Sequence, residues 1–220
     1  MDWSFIVKYL PAYTEAAGLT LRLAAEGIAL SLIAGALFSV VLYLKIPVIS
    51  KILNAYIGLA RNTPLLVQLF LLYFGLPKIG VRLSGETCAI IGMAFLGGAY
   101  MAESLRSGLE AVERIQYESA LSLGLSGAQT IRYVMFPQGL AIAIPGVTAN
   151  IIFLIKETSV FSAVALADLM FVAKDLIGLY YSTGEALIML VAWYIIILLP
   201  VSLLASYAER RIRRSGYGNI

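Results

Sequence analysis

The sequence has no histidine and a single cysteine, Cys88, among its 220 residues. Catalytic sites of the Ser-His-Asp or Cys-His kind and the zinc motif H-E-x-x-H are therefore excluded within this chain. One cysteine allows neither an intrachain disulfide nor a cysteine cluster for zinc, and we interpret Cys88 as a small buried apolar residue. The phosphate-binding pattern G-x-x-x-x-G-K-[ST] is also missing from the sequence, so we expect no ATPase activity from this chain.

Charged residues are scarce as well. They make up 13% of the chain, whereas hydrophobic residues make up 60%. Soluble domains have about 25% charged and about 45–50% apolar residues. A chain of this length cannot hide so much apolar surface from water, so the composition predicts an all-α integral membrane protein. It argues against a soluble enzyme, a nucleic-acid-binding module and a disordered regulator.

Five apolar runs are each long enough to cross about 30 Å of hydrocarbon as a helix. They cover residues 19–44, 53–77, 87–108, 134–155 and 186–208. The stretch 159–181 is also apolar but contains Asp168, Lys174 and Asp175, so we interpret it as a re-entrant or tilted helix before the last span. If it crosses fully, the count becomes six. The whole chain, 1–220, is predicted to be one transmembrane domain.

The distribution of basic residues predicts the orientation of the five spans. With the N-terminus outside and the C-terminus inside, ten basic residues face the cytoplasm and six face outward, as the positive-inside rule requires. Four of the ten lie in residues 209–220, which we predict to be a basic cytoplasmic tail. Residues 1–18 are rich in aromatic side chains and are predicted to form a short helix at the outer membrane interface.

Small residues repeat every four positions in the first apolar run. Gly27, Ser31, Gly35 and Ser39 form a stripe along one helix face, which allows another helix backbone to approach closely. We favour packing within the chain over a dimer contact for this stripe.

A polar interruption separates the third and fourth runs and is predicted to lie in the cytoplasm as a loop over residues 109–128. Its helix-forming residues predict a short amphipathic helix from Glu110 to Leu123, which Gly124 would end. Such a helix presents a firm projection to a cytoplasmic partner; the alternative is a solvated connector.

This loop resembles the EAA loop of bacterial ABC-importer permeases, whose pattern is E-A-A-x3-G-x9-I-x-L-P. Glu118, Ala120, Gly124 and Pro137 match that pattern at the same spacing. Ser119, Val134 and Phe136 replace family residues of similar size or character. Four fixed points over twenty residues make the resemblance quite specific.

Other stretches resemble the polar amino-acid branch of the same family. Residues 61–68 read R-N-T-P-L-L-V-Q, with Asn62 where the family has glycine. Residues 99–108 (A-Y-M-A-E-S-L-R-S-G) and 156–159 (K-E-T-S) resemble two more of its motifs. The resemblance covers roughly residues 15–210, nearly the whole chain.

The resemblance implies a membrane subunit of an ATP-driven importer in the bacterial inner membrane. Its expected partners are cytoplasmic ATPase subunits that bind ATP and magnesium, a second permease subunit, an extracytoplasmic solute-binding protein and a polar amino acid. We expect no cofactor in this chain itself and no nucleic-acid partner. The helix in the EAA loop would dock on the ATPase and transmit its movement to the spans. The candidate coupling residues are Glu110, Arg114, Glu118, Ser119, Ala120 and Gly124.

Ionisable groups inside apolar runs are costly and mark candidate pathway positions. Glu103, Arg106 and Glu110 have helical spacing and predict an ion-pair ladder, with a pathway-lining Glu103 as the alternative. The prolines and glycines of the fourth run predict a bent or broken helix, which would free polar groups near the pathway. The candidate pathway residues are Glu103, Asn150, Lys156, Glu157, Thr158, Ser159 and Asp168.

The acidic candidates Glu103, Glu157 and Asp168 weakly favour a basic amino acid, such as arginine, lysine or histidine, as the solute. The main alternative function is an ion-coupled secondary transporter of amino acids. The EAA-like loop argues against that alternative, because a stand-alone carrier needs no helix for docking an ATPase.

Overall fold

The structure, a computed structural model, describes residues 2–214 as helices joined by short turns. In chain order the α-helices are α1 (Trp3–Tyr43), α2 (Pro47–Arg61), α3 (Leu65–Phe70), α4 (Gly85–Glu110), α5 (Arg114–Ser122), α6 (Gly127–Thr130), α7 (Phe136–Glu157), α8 (Leu169–Tyr180) and α9 (Thr183–Arg214). A π-helical turn (Leu71–Gly75) and a 3-10 turn (Leu76–Ile79) extend α3. Another π-helical turn (Ile131–Met135) precedes α7, and a 3-10 turn (Thr158–Val164) follows it.

Four of these helical stretches are long and apolar enough to span a membrane: α1, α4, α7 with its flanking turns, and α9. A fifth span exists if α2 and the α3 stretch count as one crossing, although they are bent by 101° at the break between them. The predicted all-α membrane fold is thus confirmed, and the predicted spans correspond to these five stretches. The first part of the predicted basic tail, residues 209–214, forms the last turns of α9. Its residues 215–220 lie outside the described part of the chain.

The first eighteen residues do not form a separate helix, which corrects the sequence-based prediction. From Trp3 onward they are the opening turns of α1. Asp2 begins that helix by accepting hydrogen bonds from the backbone amides of Ser4 and Phe5, at 2.9 and 3.3 Å. With 41 residues α1 is roughly 60 Å long, which exceeds the hydrocarbon thickness of about 30 Å.

The stretch 159–181, predicted as a re-entrant or tilted helix, is divided into two parts in the structure, and its re-entrant course stays a prediction. The 3-10 turn ends at Val164, and Ala165 adopts a left-handed conformation with φ of 59°. The helix α8 starts only after Asp168, and its 12 residues reach roughly 18 Å, too short for a crossing.

The fourth span is unbroken, contrary to the sequence-based prediction. Helix α7 continues from Phe136 to Glu157 with Pro145 in its interior. Pro137 lies directly behind the π-helical turn and has no N–H group to donate back to it. The irregular backbone lies before α7, in the π-helical turn.

The small-residue stripe of α1 packs against α4 within the chain. Gly27, Ser31, Gly35 and Ser39 are all buried. The Ser31 hydroxyl donates to the Gly27 carbonyl oxygen at 2.7 Å and lies 3.2 Å from the Met93 carbonyl oxygen on α4. This close packing holds α1 and α4 as the spine of the subunit.

We predict that Gly35→Ala destabilises the protein. A methyl group at this position would collide with the Met101 side chain and lie 2.9 Å from the backbone nitrogen of Ala102. Overpacking of this kind costs about 1–3 kcal/mol. The thermal unfolding midpoint of the detergent-solubilised protein should fall, whereas the control Gly58→Ala, whose new methyl group meets open space, should keep it. Equal midpoints for the two variants would contradict the α1–α4 packing.

Candidate functional site

A polar cavity of about 390 Å³ lies between α2, α4 and α7. Its polar lining comes from Arg61 on α2, from four residues of α4 and from Asn150 on α7. The lining residues are Arg61, Tyr100, Glu103, Ser104, Ser107, Gly108, Ile142, Ala143, Gly146 and Asn150. The sequence had predicted Glu103 and Asn150 as pathway residues, and the structure brings these two together.

The break in the second span places Arg61 at the cavity. Helix α2 ends at Arg61, and the chain turns by 101° before α3 begins after Pro64. Proline disfavours a helical conformation in the residue before it and cannot donate a backbone hydrogen bond, so the helix stops here. Asn62 compensates part of the break by donating to the Gly58 carbonyl oxygen at 2.7 Å.

Arg61 forms an ion pair with Glu103 and stacks on an aromatic ring. Its guanidinium carbon lies 5.0 Å from the centre of the Tyr100 ring, a cation–π distance. About a third of each charged side chain remains exposed, with 38% for Arg61 and 35% for Glu103. Part of each side chain therefore remains accessible beside the ion pair.

Asn150 joins α7 to α4 across the cavity. Its amide nitrogen donates to the Ser104 hydroxyl oxygen at 2.8 Å and to the Tyr100 carbonyl oxygen at 3.2 Å. Gly146, one turn earlier, allows the close approach, since a methyl group there would lie 3.0 Å from the same Ser104 hydroxyl. The two walls of the cavity are thus joined by side chains that themselves line it.

The predicted ladder of three charged residues is half right. Arg106 and Glu110 form an ion pair at 3.6 Å. Glu103 pairs with Arg61 from α2 instead of Arg106, because the break in the second span brings a nearer cation. Sequence reasoning missed Arg61 as a cavity residue, although an arginine three residues before a proline inside an apolar run was a usable signal.

Five predicted pathway residues lie outside this cavity: Lys156, Glu157, Thr158, Ser159 and Asp168. Lys156 lines a separate groove between α7 and α9. Thr158 is buried, and its hydroxyl donates to the Ile155 carbonyl oxygen at 2.7 Å. Asp168 is also buried and caps α8 by accepting from the Phe171 amide at 2.8 Å. Glu157 lies seven residues beyond Asn150 on α7, roughly 10 Å further along the helix.

The polar interruption forms the helix α5, but its bounds differ from the prediction. Glu110 is the last residue of α4, and α5 begins only at Arg114, after a turn. Arg114 uses its Nε atom to bind the Glu118 carboxylate at 2.9 Å within the same helix. The helix ends at Ser122, and Gly124 follows with φ of 88°, a conformation that favours glycine.

One side of α5 packs against the protein and another carries exposed apolar residues. Ala120 is buried, whereas Ser119 is exposed. Ile115 on α5 and Leu123, just after its end, are 56% and 82% exposed.

Comparisons with known proteins match both the fold and these motifs. Residues 27–214 match the family described as "Binding-protein-dependent transport system inner membrane component". The chain is 34% identical over 203 residues to the probable amino-acid ABC transporter permease protein PatM of Vibrio harveyi, covering 90% of this chain and 91% of PatM. It is 30% identical over 214 residues to the glutamine transport system permease protein GlnP of Escherichia coli (strain K12), covering 96% of this chain and 98% of that one.

Two solved structures resemble this chain over nearly its whole length. One is the crystal structure of an amino acid ABC transporter with histidines, with a TM-score of 0.89 and 33% identity, covering 96% of this chain and 99% of the other. A methionine ABC transporter in inward-facing conformations has a TM-score of 0.79 at 16% identity, with the same coverage of both chains, and supports the fold alone.

We predict that Gly124→Ala loosens the end of α5. A left-handed conformation costs a residue with a side chain about 1–2 kcal/mol. The amides of Gly124 and Leu125, which donate to the Leu121 and Ala120 carbonyl oxygens, should exchange their hydrogens faster in hydrogen–deuterium exchange. Gly178→Ala, inside α8 with open space around it, is the control. Unchanged exchange in the Gly124 variant would contradict the role of this glycine.

Proposed function

Because this chain belongs to the family of inner-membrane components of binding-protein-dependent transport systems and is an amino-acid ABC importer permease, we propose that its polar cavity binds the transported amino acid. The Arg61–Glu103 pair is the observation that carries this proposal. An α-amino acid has a carboxylate and an ammonium group. Arg61 would take the carboxylate and Glu103 the ammonium, with Asn150 and the serine hydroxyls contacting polar side-chain groups.

The narrower proposal is that the solute is a basic amino acid. The solved transporter described with histidines supports it, since that chain is 33% identical to this one. The competing candidate is glutamine, for which the relative from Escherichia coli is named. Competition of unlabelled arginine, lysine, histidine and glutamine against labelled arginine on the purified complex distinguishes them. Displacement by glutamine at concentrations lower than those of all three basic amino acids would overturn the basic proposal.

We further propose that α5 is the coupling helix that docks on the ATPase subunits. The docking surface would be formed or supported by Arg114, Glu118, Ser119, Ala120 and Gly124. Glu110 would anchor α5 to α4. The second permease subunit and the extracytoplasmic binding protein complete the proposed assembly. Movement of the docked helix would change the access of the cavity from one side of the membrane to the other. Transport driven by ATP alone, with no ion gradient, separates this mechanism from a secondary transporter.

We predict that Arg61→Gln and Glu103→Gln each weaken amino-acid binding to the detergent-solubilised permease–ATPase complex. Loss of one charged partner should raise the dissociation constant roughly ten- to hundred-fold. Direct binding is measured without the binding protein, whose own affinity would mask the change. Glu86→Gln is the matched control, because it removes an exposed ion pair to Arg22 at 2.8 Å that lies outside the cavity. Unchanged affinity in both cavity variants would overturn the proposed site.

Shape should matter more than charge for docking of α5. The exposed Arg114–Glu118 pair contributes only about 0.3–0.5 kcal/mol to the helix, so Glu118→Gln should leave solute-coupled ATP hydrolysis in proteoliposomes near its original rate. Ser119→Trp adds bulk to an exposed position and should abolish co-purification of the ATPase subunits. Full assembly of the Ser119 variant would contradict the docking surface proposed here.

Five residues stay predictions as residues of the substrate pathway: Lys156, Glu157, Thr158, Ser159 and Asp168. Glu157→Gln tests this prediction. Loss of a carboxylate that faces the pathway should reduce uptake of basic amino acids more than uptake of glutamine. Equal uptake of every solute would remove Glu157 from the pathway.

A further inference from the structure

Gln68 is a buried polar residue that the proposed transport function does not use directly. It lies on α3, beyond the break in the second span, and is only 8% exposed. Its side chain reaches back over the break to the end of α2. Buried amide groups are costly unless they form hydrogen bonds, so its partners indicate what it does.

The amide nitrogen of Gln68 lies within hydrogen-bond distance of three oxygen atoms at the break. It is 3.1 Å from the Ala60 carbonyl oxygen, 3.1 Å from the Thr63 carbonyl oxygen and 3.0 Å from the Thr63 hydroxyl oxygen. An amide nitrogen carries two protons, so the two oxygens of Thr63 share one of them. The Thr63 hydroxyl proton points to the Leu59 carbonyl oxygen at 2.8 Å, which leaves its lone pairs free to accept from Gln68.

These contacts also define the orientation of the Gln68 amide. Turning it over would place its carbonyl oxygen against the two carbonyl oxygens of Ala60 and Thr63, so the observed orientation is favoured. The carbonyl oxygen Oε1 is then left buried without a hydrogen-bond partner among the described residues. Leaving a buried acceptor unpaired is costly. The Gln68 amide nitrogen thus keeps its hydrogen bonds at the break, although the carbonyl oxygen of the same side chain has no partner.

The Ala60 carbonyl belongs to the peptide group that leads into Arg61. Ala60 is fully buried, and its carbonyl oxygen lies at the end of α2, where no further helical turn follows to donate an N–H group to it. By holding this peptide, Gln68 fixes the direction in which the Arg61 side chain leaves the backbone. One turn earlier on α2, Tyr56 donates to the Phe95 carbonyl oxygen of α4 at 2.6 Å and links these two helices.

We infer that Gln68 is a positioning residue for solute binding: it clamps the break in the second span so that Arg61 stays opposite Glu103 in the polar cavity. This inference rests on the proposed function of the cavity. Gln68 itself lines a different, mainly apolar cavity between α2, α3 and α4, so it acts through Arg61 and not by contact with a solute at the ion pair.

The test is a double-mutant cycle on the detergent-solubilised permease–ATPase complex with labelled arginine as the probe. Gln68→Met keeps the length of the side chain and removes the amide. We expect its dissociation constant to rise about ten-fold, since small misplacements of a binding group have effects of this size or larger. In an Arg61→Ala background, the same Gln68 substitution should cause no further change, because the residue that it positions is gone.

Each outcome decides a separate point. An effect of Gln68→Met that persists in the Arg61→Ala background would show independent action and overturn the inference. Weaker binding in Arg61→Ala but not in Gln68→Met would also overturn it, while the cavity remains the binding site. If neither single variant changes binding, the proposed site fails and the inference fails with it.

Two further variants separate positioning from damage to the fold. Thr63→Val removes only the hydroxyl that shares the Gln68 proton, so it should weaken binding less than Gln68→Met and show the same dependence on Arg61. Tyr56→Phe removes the hydrogen bond from α2 to the Phe95 carbonyl oxygen of α4 and serves as the structural control. If Gln68→Met lowers only the yield or the unfolding temperature of the complex, as Tyr56→Phe would, and leaves affinity unchanged, Gln68 has a merely structural role.

Discussion

A membrane interior offers no water to the backbone, so every interruption of a spanning helix must be satisfied by the protein itself. The second span meets this constraint at Asn62, Thr63 and Pro64. Asn62 and Thr63 return hydrogen bonds to carbonyl groups one turn earlier, at 2.7 and 2.8 Å, and Gln68 reaches the same region from α3. Because the break is satisfied locally, the chain can turn sharply here. That turn places Arg61 beside α4, where the polar cavity forms.

Helix α4 connects this cavity to α5. It carries Glu103 in the cavity wall and ends at Glu110, a short turn before α5. Between these two points it crosses α7 at Gly108 and Gly139, where neither glycine could accept a methyl group without collision with the other helix. Helices packed so closely cannot slide past one another freely. A force on α5 therefore reaches both α4 and α7, which are the two walls that Asn150 joins.

Short sequence patterns predicted those features of the structure that depend on residues close together in the chain. The apolar runs gave the spans, and Gly124 gave the end of the helix between them. The failures concern contacts between distant segments. Glu103 has a cation one turn away in Arg106, yet it pairs with Arg61, 42 residues earlier, because only the folded break brings that partner closer. Asp168 looked like a charge in an apolar stretch, and its use as a helix cap depends on where α8 begins.

The electrostatics of the cavity suit the binding of an amino acid that we propose for it. An isolated charge in apolar surroundings is costly, and the pairing of Arg61 with Glu103 keeps the empty cavity neutral. A zwitterion that separates the pair brings one charge of each sign, so neutrality is preserved during the exchange. A solute that lacks either the carboxylate or the ammonium group would leave Arg61 or Glu103 unpaired. The third charge of a basic solute is not balanced by this pair, so selectivity for it has to come from groups beyond Arg61 and Glu103.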